Sequence, residues 1–255
     1  EKDRALLRRT GDRVQAFAAA QRASVRGFEL DIAGGVAGQE IVPVERAGCY
    51  APGGRFPLPS SVLMTVVTAR AAGVKNVFVA SPKPMPITLA AAYAAGADAL
   101  LPIGGAHAIA AMTYGIKGII EPCDVIVGPG NKFVTAAKQI VAGRVGIDML
   151  AGPSELVVLA DDTADPLMVA ADLLAQAEHD PDALPILVTA SAKLIEQVNA
   201  EIAMQLADLP TRIIAESSLK NGYAVLCGSL QECIDVTDLL APEHLEVITR
   251  YAEET

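Results

Sequence analysis

The chain has 255 residues, 52% hydrophobic and 20% charged, and its 20 Lys and Arg against 30 Asp and Glu give a formal net charge of -10. That is the composition of a well-packed protein of one large or two ordinary domains, and an acidic balance without any basic tract excludes a nucleic-acid backbone and favours small-molecule partners. Four cysteines without CxxC spacing read as small core residues in a reducing compartment, and no apolar run is long enough for a membrane span or a leader.

Residues 1–23 mix apolar and basic side chains at helical intervals, which predicts one or two amphipathic helices. Gly27 breaks them, and Gly34, Gly35 and Gly38 mark a loop. From Glu40 onward, short apolar runs alternate with helical stretches at Gly or Pro junctions, the pattern of a parallel α/β sheet. Strands are predicted at 41–44 with 48–50, then at 76–80, 99–102, 124–127, 156–160, 185–189, 223–226 and 245–249. Helices are predicted between them at 61–72, 88–95, 106–114, 132–142, 166–179, 192–209 and 230–240. The Asp165-Pro166 pair gives the helix at 166 a cap and a proline start. The opening at Glu1 without Met and the end at Thr255, straight after a strand-like run, read as a segment of a longer protein.

Four glycine loops fall where strands should end: Pro52-Gly53-Gly54, Gly104-Gly105-Ala106-His107, Gly128-Pro129-Gly130-Asn131 and Gly152-Pro153-Ser154-Glu155. Glycine lets backbone N–H groups approach a phosphate at a helix start, and open α/β sheets bind ligands beyond strand carboxyl ends. The loops therefore point to a nucleotide or phosphate, although Phe133 stands where a GxGxxG motif would place its third glycine. Along the helix predicted at 166–179, Asp172, Gln176 and His179 share one polar stripe. That stripe fits a site, and it also fits a capped helix end.

The strings GCYAPGG, SSVLMTVVTARAAGV, GPGNKFVTAAK, IDMLAGPSE, AADLLAQAEHD and APEHL, in this order, resemble the histidinol dehydrogenase family over about residues 40–249. The resemblance implies an α/β fold of two doubly wound (Rossmann-like) parallel-sheet domains, one inserted in the other. Residues 1–49 with 154–255 would form the first, carrying the metal and catalytic motifs, and 50–153 the inserted one with the NAD loops. It implies oxidation of L-histidinol to L-histidine through histidinal with two NAD and a zinc ion. It makes Gln176 and His179 zinc ligands, Glu243 and His244 the acid and base residues that also contact substrate, and Ser154 a substrate neighbour. It places Tyr50, His107 and Asn131 around NAD. A cytoplasmic homodimer is implied, or a plastid one in a plant or alga.

Two departures stand out. His107 occupies the family's usual glutamine position, which keeps in view a relative that oxidises another primary alcohol, such as a sulfonated propanediol. The remaining zinc ligands and a substrate-binding glutamate lie beyond APEHL in the family, so two protein ligands are expected here against the usual three or four. That shortage keeps a non-catalytic nucleotide-binding or dimerisation module as a further alternative.

Overall fold

The computed structural model describes residues 2–53, 56–150 and 154–255. Gly54, Gly152 and Pro153 of the predicted glycine loops lie outside the described residues. The chain divides into two compact units, Glu1–Gly152 and Pro153–Thr255.

In the first unit, one long helix, α1 (Lys2–Ser24), is followed by a hairpin, β1 (Phe28–Ile32) and β2 (Gly35–Gln39), with Ile32 opposite Gly35. The loop expected around Gly34, Gly35 and Gly38 is thus mostly strand, and only Gly34, at φ 92°, takes a turn conformation that favours glycine. There follow β3 (Arg46–Tyr50), α2 (Pro59–Ala71), β4 (Asn76–Ala80), α3 (Pro86–Ala95), β5 (Ala99–Leu101), α4 (Gly105–Tyr114), β6 (Val125–Val127), α5 (Lys132–Val141) and β7 (Gly146–Ile147). Five of these strands form one parallel sheet in the order β5-β4-β3-β6-β7. The chain winds outward from β3 in one direction, then returns to β6 and continues in the other. That reversal is the doubly wound topology, with its switch point between β3 and β6. The predicted strand at 41–44 does not form, because Pro43 has no N–H to give a ladder and its neighbours Val42 and Val44 are exposed.

The second unit repeats the plan with β8 (Glu155–Ala160), α6 (Pro166–Ala177), β9 (Leu184–Thr189), α7 (Ala192–Asp208), α8 (Arg212–Ser218), β10 (Tyr223–Leu226), α9 (Leu230–Leu240) and β11 (His244–Ile248). Its sheet is parallel in the order β10-β9-β8-β11, so the switch point falls between β8 and β11. Alternate residues of β8 enter two cores: Leu156, Val158 and Ala160 pack with α6 and α7, whereas Val157 and Leu159 pack with Cys233 of α9. Both faces are therefore covered, as an all-parallel sheet requires. Cys49, Cys123, Cys227 and Cys233 are free and buried, and burial pushes the Cys49 thiol up to about 12.

The placement of residues 1–49 needs correction. They were expected with 154–255, but α1 packs on α2 and α3, with Leu7 in the same core as Val62 and Val66, and β3 pairs with β4 and β6. The pairing decides this, since β3 is the strand from which the first sheet is wound. The two units accordingly follow one another along the chain. Among the described residues no helix is long and apolar enough to cross a membrane.

Ile126, in the middle of β6, is fully buried. Ile126→Ala should destabilise the first unit by about 2–5 kcal/mol, read from urea denaturation followed by circular dichroism.

Candidate functional site

At the carboxyl edge of the first sheet, the switch point brings two of the glycine loops together. Tyr50 ends β3 almost fully buried, and its hydroxyl accepts a hydrogen bond from Gly105 N at 3.1 Å, at the start of α4. Gly128 follows β6 at φ 116°, and a Cβ there would lie 2.1 Å from the carbonyl oxygen of Tyr50. Only glycine allows that approach. The Gly128 peptide is held on both sides: its N–H donates to Asp148 Oδ2 at 2.7 Å, and its carbonyl accepts from Lys138 Nζ at 3.0 Å. Lys138 and Asp148 are themselves ion-paired.

Asn131 caps α5, its Oδ1 accepting from Phe133 N at 3.1 Å and Val134 N at 3.2 Å. The helix-cap reading of Asn131 is therefore realised, and any ligand contact falls to its amide nitrogen and main chain. The N–H groups of Gly130, Asn131 and Lys132 donate to no described residue. Such a turn can receive an anionic group. His107 lies exposed in the first turn of α4, two residues beyond the amide that Tyr50 holds. The structure thus gathers Tyr50, Asn131 and the helix bearing His107 along one strand edge.

In the second unit, the predicted residues collect at the opposite, amino edge of the sheet. The parallel register sets His244 opposite Leu156, so Glu243 stands beside Glu155, and Ser154 immediately precedes β8. Glu243 N donates to Glu155 Oε1 at 3.3 Å, and Glu243 Oε1 lies 3.9 Å from His244 Nε2. The crossover helix α6 runs back against the strands, so its C-terminal turn returns to the same edge. There Gln176 holds a buried Nε2 without a hydrogen-bond partner. The predicted helix to 179 stops two residues short, at Ala177, with Glu178 as cap. His179 consequently leaves the polar stripe, and its N–H bonds the Gln176 carbonyl at 3.2 Å in an exposed turn.

Which of these groups could hold a metal? The orphaned atom is a hydrogen-bond donor, which a cation does not satisfy, so Gln176 can offer a cation only its oxygen, brought to that position by turning the amide end for end. With His179 this makes two donors. Among the described residues no three His, Cys, Asp or Glu side chains converge as a metal group. These residues fit part of a zinc site rather than a whole one.

Glu155 and Glu246 were not singled out from the sequence. His244, Glu246 and Ile248 alternate onto one face of β11, and Ile248 packs in the core under α6. Burial, followed by the charge and hydrogen bond of Asp172 on α6, holds the Glu246 carboxyl above the usual glutamate range, against the opposing charge of His244. The alternation of β11 was the available signal for Glu246. The pairing of Glu155 with Glu243 depends on register and had no local signal.

The histidinol dehydrogenase family model matches residues 1–255. The histidinol dehydrogenase of Thermus thermophilus is 50% identical over 238 residues, 92% of this chain and 57% of its own length. That of Methanococcus maripaludis is 46% identical over 252 residues, 97% of this chain and 59% of its own length. Among solved structures, histidinol dehydrogenase from Elizabethkingia anophelis superposes with a TM-score of 0.90 at 39% identity, covering 96% of this chain and 57% of that one. An oxidoreductase from Marinobacter aquaeolei, at TM-score 0.53 and 13% identity, shares the fold alone. The chain spans somewhat more than half the length of the relatives it matches.

Gly128→Ala should cost at least about 2 kcal/mol, from the positive φ and the overlap with Tyr50, and is checked by denaturant titration of the first unit. For Glu246 the folded pKa lies above the unfolded one. Its contribution is therefore fully present below the unfolded value and is lost as pH rises through the folded value. Glu246→Gln should abolish this loss, giving a flatter stability profile from the ordinary glutamate range upward when denaturation midpoints are compared across pH.

Proposed function

The chain belongs to the histidinol dehydrogenase family, and from that premise we propose that the protein carrying it oxidises L-histidinol to L-histidine through histidinal, with two NAD as hydride acceptors. The observation that carries this reading is a placement. Glu243 and His244, 3.9 Å apart, stand at the same strand edge as Ser154 and the unpartnered amide of Gln176. An imidazole beside a carboxylate suits a reaction that must move several protons.

In the proposed chemistry, His244 takes the alcohol proton as the carbon-bound hydrogen leaves as hydride to the first NAD, giving aldehyde and NADH. Glu243 then accepts a proton from the water that adds to the aldehyde. The resulting hydrate anion gives its hydride to the second NAD, and the carboxylic acid so formed releases a further proton to solvent to become the carboxylate. Ser154 stands where it can touch the substrate, and Glu155 steadies the backbone of Glu243. Zinc, when bound, would fix the substrate's imidazole and amine. Gln176 and His179 are assigned as two of its ligands, and the reading takes the others from sequence outside these 255 residues. NAD is assigned to the first unit, at Tyr50, Asn131 and His107. The reading takes the protein as a homodimer, in the cytoplasm or, in a plant or alga, the plastid.

His107, exposed where relatives of this family usually carry glutamine, gives the rival its footing: a different primary alcohol, such as a sulfonated propanediol. The test is NADH formation with each alcohol in the presence of zinc. L-histidinol should be strongly preferred, and His244→Asn or Glu243→Gln should lower kcat by about 10²–10⁴-fold. Preference for the diol would replace the substrate assignment, and stoichiometric NAD binding with no turnover of either alcohol would favour a non-catalytic module.

A further inference from the structure

We propose that Lys138 and Asp148 are positioning residues for the dinucleotide, acting through the peptide of Gly128; this rests on the reading above that the first unit binds NAD. Lys138 lies in the middle of α5 with its side chain only 4% exposed. A buried cation is costly to desolvate, and an apolar side chain of similar volume commonly gives a fold as much stability or more. Packing alone therefore gives no reason for a lysine here.

What the ion pair adds is direction. Lys138 Nζ donates to the Gly128 carbonyl at 3.0 Å, and Asp148 Oδ2 accepts from the Gly128 amide at 2.7 Å. The other carboxylate oxygen accepts from Met149 N at 2.8 Å and faces Lys138, so the Asp148 side chain is held as well. The clamp therefore fixes both polar ends of the residue that rests on Tyr50. Tyr50 in turn holds the first amide of α4, and Asn131 ends the same turn at the start of α5. An apolar pair at 138 and 148 could fill the space but could not aim that peptide. Release of the clamp would let the turn rotate about a glycine, the residue least able to resist rotation.

The experiment is fluorescence titration of the full chain with NADH, alongside thermal melting. The variants are Lys138→Met, Asp148→Asn and the charge-neutral double variant, which keeps the test alive if a single charge left behind prevents folding. Val77→Ala, in the core of the same unit and outside the loop, serves as the control for lost stability. At a temperature where every protein is folded, the clamp variants should bind NADH about tenfold more weakly or worse, with Val77→Ala unchanged. Clamp variants that melt lower but bind like the parent would overturn the proposal while leaving the NAD assignment intact. A parent chain that binds no NADH would overturn both.

Discussion

The candidate site of the second unit depends on one constraint, the parallel register of β8 and β11. Setting Leu156 opposite His244 aligns the amino ends of the two strands, so residues nearly ninety positions apart in sequence, Glu155 and Glu243, come within hydrogen-bonding reach. The same winding brings the last turn of α6, with Gln176, back to that edge. A slip of one residue would reverse the face presented by His244 and Glu246 and separate them from Asp172. Burial of Val158 and Ala160 against one layer of helices, and of Val157 and Leu159 against the other, is what holds the register.

The candidate residues of the two units lie at opposite edges of their respective sheets. The first follows the general rule for open α/β sheets, with its glycine turns beyond the carboxyl ends of β3 and β6. In the second, the corresponding position beside β8 is occupied by Asp161. Its carboxylate accepts from the amides of Arg250 and Thr163 and from the Thr163 hydroxyl. Desolvation tends to raise the pKa of Asp161, but those hydrogen bonds outweigh it and hold the group below the usual range. An ionised carboxylate at that position is poorly suited to receive a phosphate. The candidate acid–base pair lies at the other end of the sheet.

Local pattern revealed the α/β class, most strands and the start of α6, because periodicity, glycine and the Asp165-Pro166 cap are properties of neighbouring residues. It placed the 48–50 part of the first strand correctly, within β3, but added 41–44, since that apolar run looks extended although Pro43 cannot pair. It passed over the β1–β2 hairpin, although Phe28, Leu30 and Ile32 alternate with Glu29 and Asp31, because the glycines at 34, 35 and 38 read as a loop. His179 left the expected stripe because a helix ends where its cap geometry dictates, at Glu178, and periodicity does not report that. The Lys138–Asp148 clamp and the Asp172–Glu246 pair were invisible for a different reason: each exists only after distant segments have packed. Glu243 and His244, adjacent in sequence and carried by a distinctive motif, were the easiest candidate residues to find.

The central claim is that one alcohol carbon passes through two oxidations supported by Glu243 and His244. The most direct measurement is the stoichiometry of a complete turnover, counting NADH against L-histidinol consumed while trapping any free aldehyde. The account predicts two NADH for each L-histidine formed and no accumulation of trapped histidinal. One NADH for each alcohol, with histidinal released as the product, would contradict it.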